Sequence, residues 1–126
     1  MVGTAFRDGP RMIDLTVRLR EDPDAPERVF RLVADGKAIQ AETTVTDPGA
    51  ALAAVERYGE DIFFPKPGPP RLCTQQYGGP QVAVVTGTFH GRPVESVFTR
   101  TDGCEISRWK AMAPLLGSAG GAFGAV

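Results

Sequence analysis

The chain has 126 residues, 42% hydrophobic and 23% charged, with 14 basic against 15 acidic side chains and a net charge of −1. That size suits one domain with a core of its own. The charge balance lacks the basic signature of a nucleic-acid binder, and no apolar run reaches the ~18 residues needed to span a bilayer. Residues Met1 to Pro10 carry Arg7 and Asp8 and no apolar stretch, so they do not read as a secretory leader. The expected location is the cytoplasm, or outside the cell if a leader has been removed.

Ile13, Leu15, Val17 and Leu19 alternate with Asp14, Thr16, Arg18 and Arg20. This period of two predicts a strand over 12–20 with one buried and one wet face. Glu21 to Pro26 reads as a turn. Val29 to Ala34 reads as a second strand, with Val29 or Phe30 leading its apolar face, and Asp35-Gly36 as the next turn. Asp47 as N-cap and Pro48 at the first helical position open a helix. Leu52, Val55 and Tyr58 fall on one face of it, and Gly59 is a natural stop. Ile62-Phe63-Phe64 then leads into Pro65-Lys66-Pro67-Gly68-Pro69-Pro70, a stiff extended connector. Two further strands are expected at Val82–Phe89 and Val94–Arg100, joined by His90-Gly91-Arg92-Pro93. Ile106 to Leu116 either ends the sheet or forms a short helix. Residues 1–116 read as one domain and 117–126 as a flexible Gly/Ala-rich tail. Strands, a helix, then strands again argue for an α+β fold, an antiparallel sheet with one or two helices on one face.

Candidates for chemistry are few. His90 is the sole histidine and a weak candidate for general acid or base work; the plainer reading is a structural or exposed turn residue. Glu95, in a strand near Arg92, is a second weak catalytic candidate if it faces inward. Tyr58, Phe63, Phe64 and Trp109 are candidates for an apolar substrate pocket, or else core. No metal-ligand cluster, phosphate loop or Ser-His-Asp set is visible, so neither a metal nor a cofactor is expected. Cys73 and Cys104 are compatible with one disulfide, or with free thiols in a reducing compartment. Oxidised, they would close a loop of about thirty residues and stabilise the fold by roughly 3–4 kcal/mol on the chain-entropy account.

Several blocks share an order with a known family. They are Leu15-Thr16-Val17, Ala25-Pro26-Glu27-Arg28, Leu52-Ala53-Ala54-Val55, Cys73-x-x-x-Tyr77, the run through Pro80, Gly87, Phe89 and Gly91, and Cys104-Glu105. Together they resemble the Streptomyces subtilisin inhibitor family over roughly residues 13 to 110. The resemblance implies a five-stranded antiparallel sheet with two helices and a homodimer formed through the sheet face. It also implies inhibition of subtilisin-type serine proteases through a rigid loop that binds like substrate. On that scheme Cys73 is P3, Thr74 P2, Gln75 P1, Gln76 P1′ and Tyr77 P2′, and a Cys73–Cys104 disulfide ties the loop down.

The sequence departs from the family where inhibition is decided. The family's other disulfide falls at Ala34 and Gly49, and its loss fits a chain outside an oxidising compartment. Gln75 offers a neutral amide where a subtilisin S1 pocket favours a large apolar side chain. Thr74 replaces the family's proline, and Gly78-Gly79 precedes Pro80 where stiffness is wanted. The leading expectation is therefore a scaffold repurposed to act on a small molecule inside the cell. Its concrete form is a cofactor-free cyclase or isomerase of actinobacterial natural-product biosynthesis. The alternative is a protease inhibitor with Gln75 at P1. Partners follow suit: a small molecule or a subtilisin-type protease, a second copy of the chain, and neither nucleic acid nor membrane.

Overall fold

The computed structural model describes residues 11–69 and 71–117. Five strands form one antiparallel sheet: β1 (Met12–Arg20), β2 (Arg28–Asp35), β3 (Ala38–Ile39), β4 (Val82–Phe89) and β5 (Arg92–Phe98), in the order β3-β2-β1-β4-β5. The helices are α1 (Pro48–Phe63), α2 (Gly103–Ala111) and α3 (Ala113–Leu116). The α+β expectation holds, with three helices among the described residues where one or two were expected.

The alternation in β1 decides the layering. β1 is central, pairing Val17 with Phe30 of β2 and with Val85 of β4. Ile13, Leu15, Val17 and Leu19 are fully buried in one cluster with Leu52 and Val55 of α1, Trp109 of α2, and Leu115 and Leu116 of α3. Each such aliphatic side chain contributes roughly 1.5–3 kcal/mol relative to exposure. The opposite face of the sheet is mixed: Val29, Val82 and Val97 are exposed on it beside paired charges. Arg31 meets Asp14 at 2.9 Å and Arg18 meets Glu27 at 3.1 Å. The hydrogen bonds from Arg31 to Asp14 raise the guanidinium above its ordinary pKa.

Helix α1 starts as its caps dictate: Asp47 accepts from the Ala50 N–H at 3.2 Å, with Pro48 at the first position. It does not stop at Gly59 but runs on to Phe63. A Cβ at Gly59 would lie 3.1 Å from the Phe89 ring, so this glycine is small for packing, not left-handed for termination. The extra turn carries Phe63 into the core.

The β4–β5 connection is shorter than expected. Only His90 and Gly91 lie in it, with φ of 51° and 80°, a two-residue turn of positive φ whose twist suits a hairpin. Arg92 and Pro93 belong to β5, an edge strand where the missing proline N–H is tolerated. Ile106–Leu116 lies within helices except for Met112, which joins α2 to α3. Asp102 caps α2 by accepting from the Glu105 N–H at 2.9 Å, and the buried Ile106, Trp109 and Met112 recur every three residues. Among the described residues no helix is long and apolar enough to cross a membrane. The proposed tail lies outside the described residues except for Gly117, which follows α3.

Candidate functional site

From Arg71 to Tyr77 every residue is exposed and none belongs to a helix or strand. Leu72 is fully exposed and Tyr77 69% exposed. The segment is nevertheless not loose, because its backbone is fixed at both shoulders.

The N-terminal shoulder rests on α2. Cys73 is disulfide-bonded to Cys104, in the first turn of α2. One residue on, the Thr74 carbonyl accepts from the Gly103 N–H at 3.0 Å. The first N–H groups of a helix have no partner within it, so the loop supplies the acceptor that α2 lacks. Gly103 is a glycine because a Cβ there would run into the Thr74 side chain. The C-terminal shoulder rests on the chain just beyond β5. The Gly78 N–H donates to the Arg100 carbonyl at 2.6 Å, and Arg100 Nε donates to the Gly78 carbonyl at 3.0 Å. Between the shoulders stand Gln75, Gln76 and Tyr77, with no hydrogen-bonding partner for any of their side chains among the described residues.

Behind the loop runs an open groove of about 650 Å³ between Ile62 at the end of α1, Arg71, and Ser107 and Arg108 of α2. Arg108 is committed within it, donating to the Val97 carbonyl at 3.0 Å and to Glu105 at 2.9 Å. The metal-type donors that gather here are Cys73, Asp102 and Cys104. The two sulfurs are bonded to each other and Asp102 caps α2, so this cluster is accounted for by structure.

The residues singled out for a small-molecule site scatter. His90 sits at the β4–β5 turn on the α1 side, its Nε2 2.9 Å from Glu56 Oε1 and its ring stacked on Phe89 at 4.1 Å. Glu95 is exposed in β5, whose inward positions are Val94, Ser96 and Phe98, so it faces away from the helices. Phe63, Phe64 and Phe89 pack edge-on or tilted with centroids 5.8–6.4 Å apart. Arg92 lies 3.7 Å over the Phe64 ring while also bonding Glu60 at 2.9 Å. These aromatics pack on one another and on Arg92. Trp109 is wholly buried, with Arg100 over its ring at 5.7 Å. Tyr58 is 37% exposed, beside Arg57.

By contrast, Thr74, Gln75, Gln76 and Tyr77 are brought together, with Cys73 and Cys104 bonded behind them. Sequence reasoning missed Leu72, whose exposure no local pattern reveals, and Arg100, whose register opposite Gly78 no local pattern reveals either. Compared with known proteins, the sequence matches no family model and no curated protein.

Proposed function

We propose that this chain is a substrate-like inhibitor of subtilisin-type serine proteases, with Gln75 at P1. One observation carries the reading: Leu72 to Tyr77 is an exposed segment outside any helix or strand, anchored on one side by a disulfide and a backbone hydrogen bond and on the other by two hydrogen bonds between Gly78 and Arg100. A protease needs an extended strand whose side chains are free to enter its subsites. A loop already held at both shoulders loses less entropy on binding than a free one, and this gain appears directly as affinity. Fixing the backbone from behind leaves the side chains of positions 72 and 74 to 77 for the enzyme. Leu72, at P4, is the apolar anchor, and its transfer from water into an apolar subsite is worth roughly 1.5–3 kcal/mol.

Gln75 tunes the target. An amide buried in an S1 pocket has to find a donor and an acceptor there. A pocket that is purely apolar takes it weakly. The natural target therefore has hydrogen-bonding groups in S1 and an apolar S4. On this reading the activity calls for a setting in which the disulfide persists. Less supports the small-molecule enzyme, since Glu95 faces away from the helices while Phe63 and Trp109 are buried in the core.

The test is a titration of active-site-counted subtilisin with the protein and, alongside, its Gln75→Met variant. The proposal expects measurable inhibition by the parent and at least tenfold tighter inhibition by the variant. Rapid cleavage of both without inhibition would overturn it.

A further inference from the structure

The pair Gly78-Gly79 would, as free chain, let the loop flex. In this fold the first of the two is gripped. Arg100 holds Gly78 through its carbonyl and its Nε at once, at 2.6 and 3.0 Å. The same guanidinium lies over the indole of Trp109, which is buried in the core. A Cβ at Gly78 would come 2.9 Å from Ile106 Cδ1 and 3.1 Å from Arg100 Cβ, so glycine is what permits the approach. A continuous run of contacts thus links the core to the chain just after the Gln75–Gln76 bond.

We propose that Arg100 is a positioning residue that keeps the cut loop together and so makes its cleavage reversible; this rests on the inhibitor reading. The protease serine Oγ adds to the Gln75 carbonyl carbon, the Gln75–Gln76 C–N bond breaks, and the Gln76 nitrogen leaves as an amine with the proton passed on by the enzyme's base. In an ordinary substrate that amine diffuses off and water cleaves the acyl ester. Here the amine is two residues from Gly78, and Gly78 is tied to Arg100. It stays beside the ester, attacks it, re-forms the peptide bond and returns the proton to the serine. The disulfide does the corresponding work on the acyl side, since Cys73 is two residues before Gln75. An intramolecular amine held in place gains a large effective concentration over a free one.

The experiment uses the Gln75→Met background, so that subtilisin S1 engages, with and without Arg100→Ala, and with Arg100→Lys as a conservative variant. Cleavage between positions 75 and 76 is followed by mass under saturating enzyme, and association rates and Tm are measured in parallel. Arg100→Ala is expected to be cut at least tenfold faster at that bond, with the association rate changed less than twofold and no new cleavage sites. Arg100→Lys, which keeps a donor and a charge, is expected to restore part of the resistance. Equal cleavage rates with and without Arg100 would overturn the inference, and so would acceleration only through new cuts elsewhere. If the Gln75→Met protein fails to inhibit, the inhibitor reading falls, and the ratio of the two cleavage rates still decides whether Arg100 holds the loop.

Discussion

Two regions of this molecule are built in opposite ways. At one, Phe63, Phe64, Phe89, His90 and Arg92 hold one another by ring packing, a guanidinium over a ring and ion pairs to α1. Their side chains are used up by the fold. At the other, the loop from Leu72 to Tyr77 is held by a disulfide and by backbone hydrogen bonds to Gly103 and Arg100. Its side chains are left over. The aromatic region carries the residue types that chemistry favours, and the loop carries plain leucine, threonine and glutamine. On the proposed reading, function follows the unspent side chains, not the most reactive ones.

That contrast can be broken by substitution, because the two regions should fail differently. The largest loss of stability is expected from Phe89→Ala. It removes a ring that packs on Phe63, Phe64 and Gly59 and should cost about 3–5 kcal/mol. Chemical denaturation would measure it, and inhibition of subtilisin below the unfolding transition should stay unchanged. Next comes the paired Cys73→Ser and Cys104→Ser variant, expected to lose roughly 3–4 kcal/mol. For a domain of this size that is a fall in Tm of about 10 °C or more. Unlike Phe89→Ala, it should also turn the loop into a rapidly cut substrate. Leu72→Ala should reverse the pattern, with stability within about 0.5 kcal/mol of the parent and inhibition weakened about tenfold or more, read from the inhibition constant. The smallest effect is expected from His90→Asn. Asparagine tolerates the positive φ, and an exposed pair such as that with Glu56 is worth under about 1 kcal/mol. A large loss of either stability or inhibition from His90→Asn would mean that the aromatic region does more than pack.

The sequence made much of the frame legible. The alternation from Ile13 to Arg20 defined β1 and its buried face, and Asp47-Pro48 opened α1 where the cap lies. What escaped it depended on contacts between distant segments. Gly59 carries the ordinary mark of a helix end, yet Phe89, thirty residues on, needs the space its missing side chain leaves. Once α1 continues, Phe63 is delivered to the core and is lost as a pocket residue. Gly78 read as a weak point in the loop for the same reason: the side chain of Arg100 that grips it lies twenty-two residues away, beyond a hairpin. Gln75 and its neighbours could be placed by resemblance, but their freedom from partners is a property of the assembled molecule. Leu72 shows the same limit, since a leucine before a cysteine carries no local sign that it will stand outside.

The most direct measurement is the identity of the first bond cut when the parent protein is held with excess subtilisin, read by intact mass before and after reduction. The account predicts a single slow cut between Gln75 and Gln76. The product would gain one water while the Cys73–Cys104 disulfide still joins its halves, and it would separate into two chains only on reduction. A first cut elsewhere, in the proline-rich connector or after Arg71, would contradict it. The exposed loop would then be a surface feature and not a presented substrate.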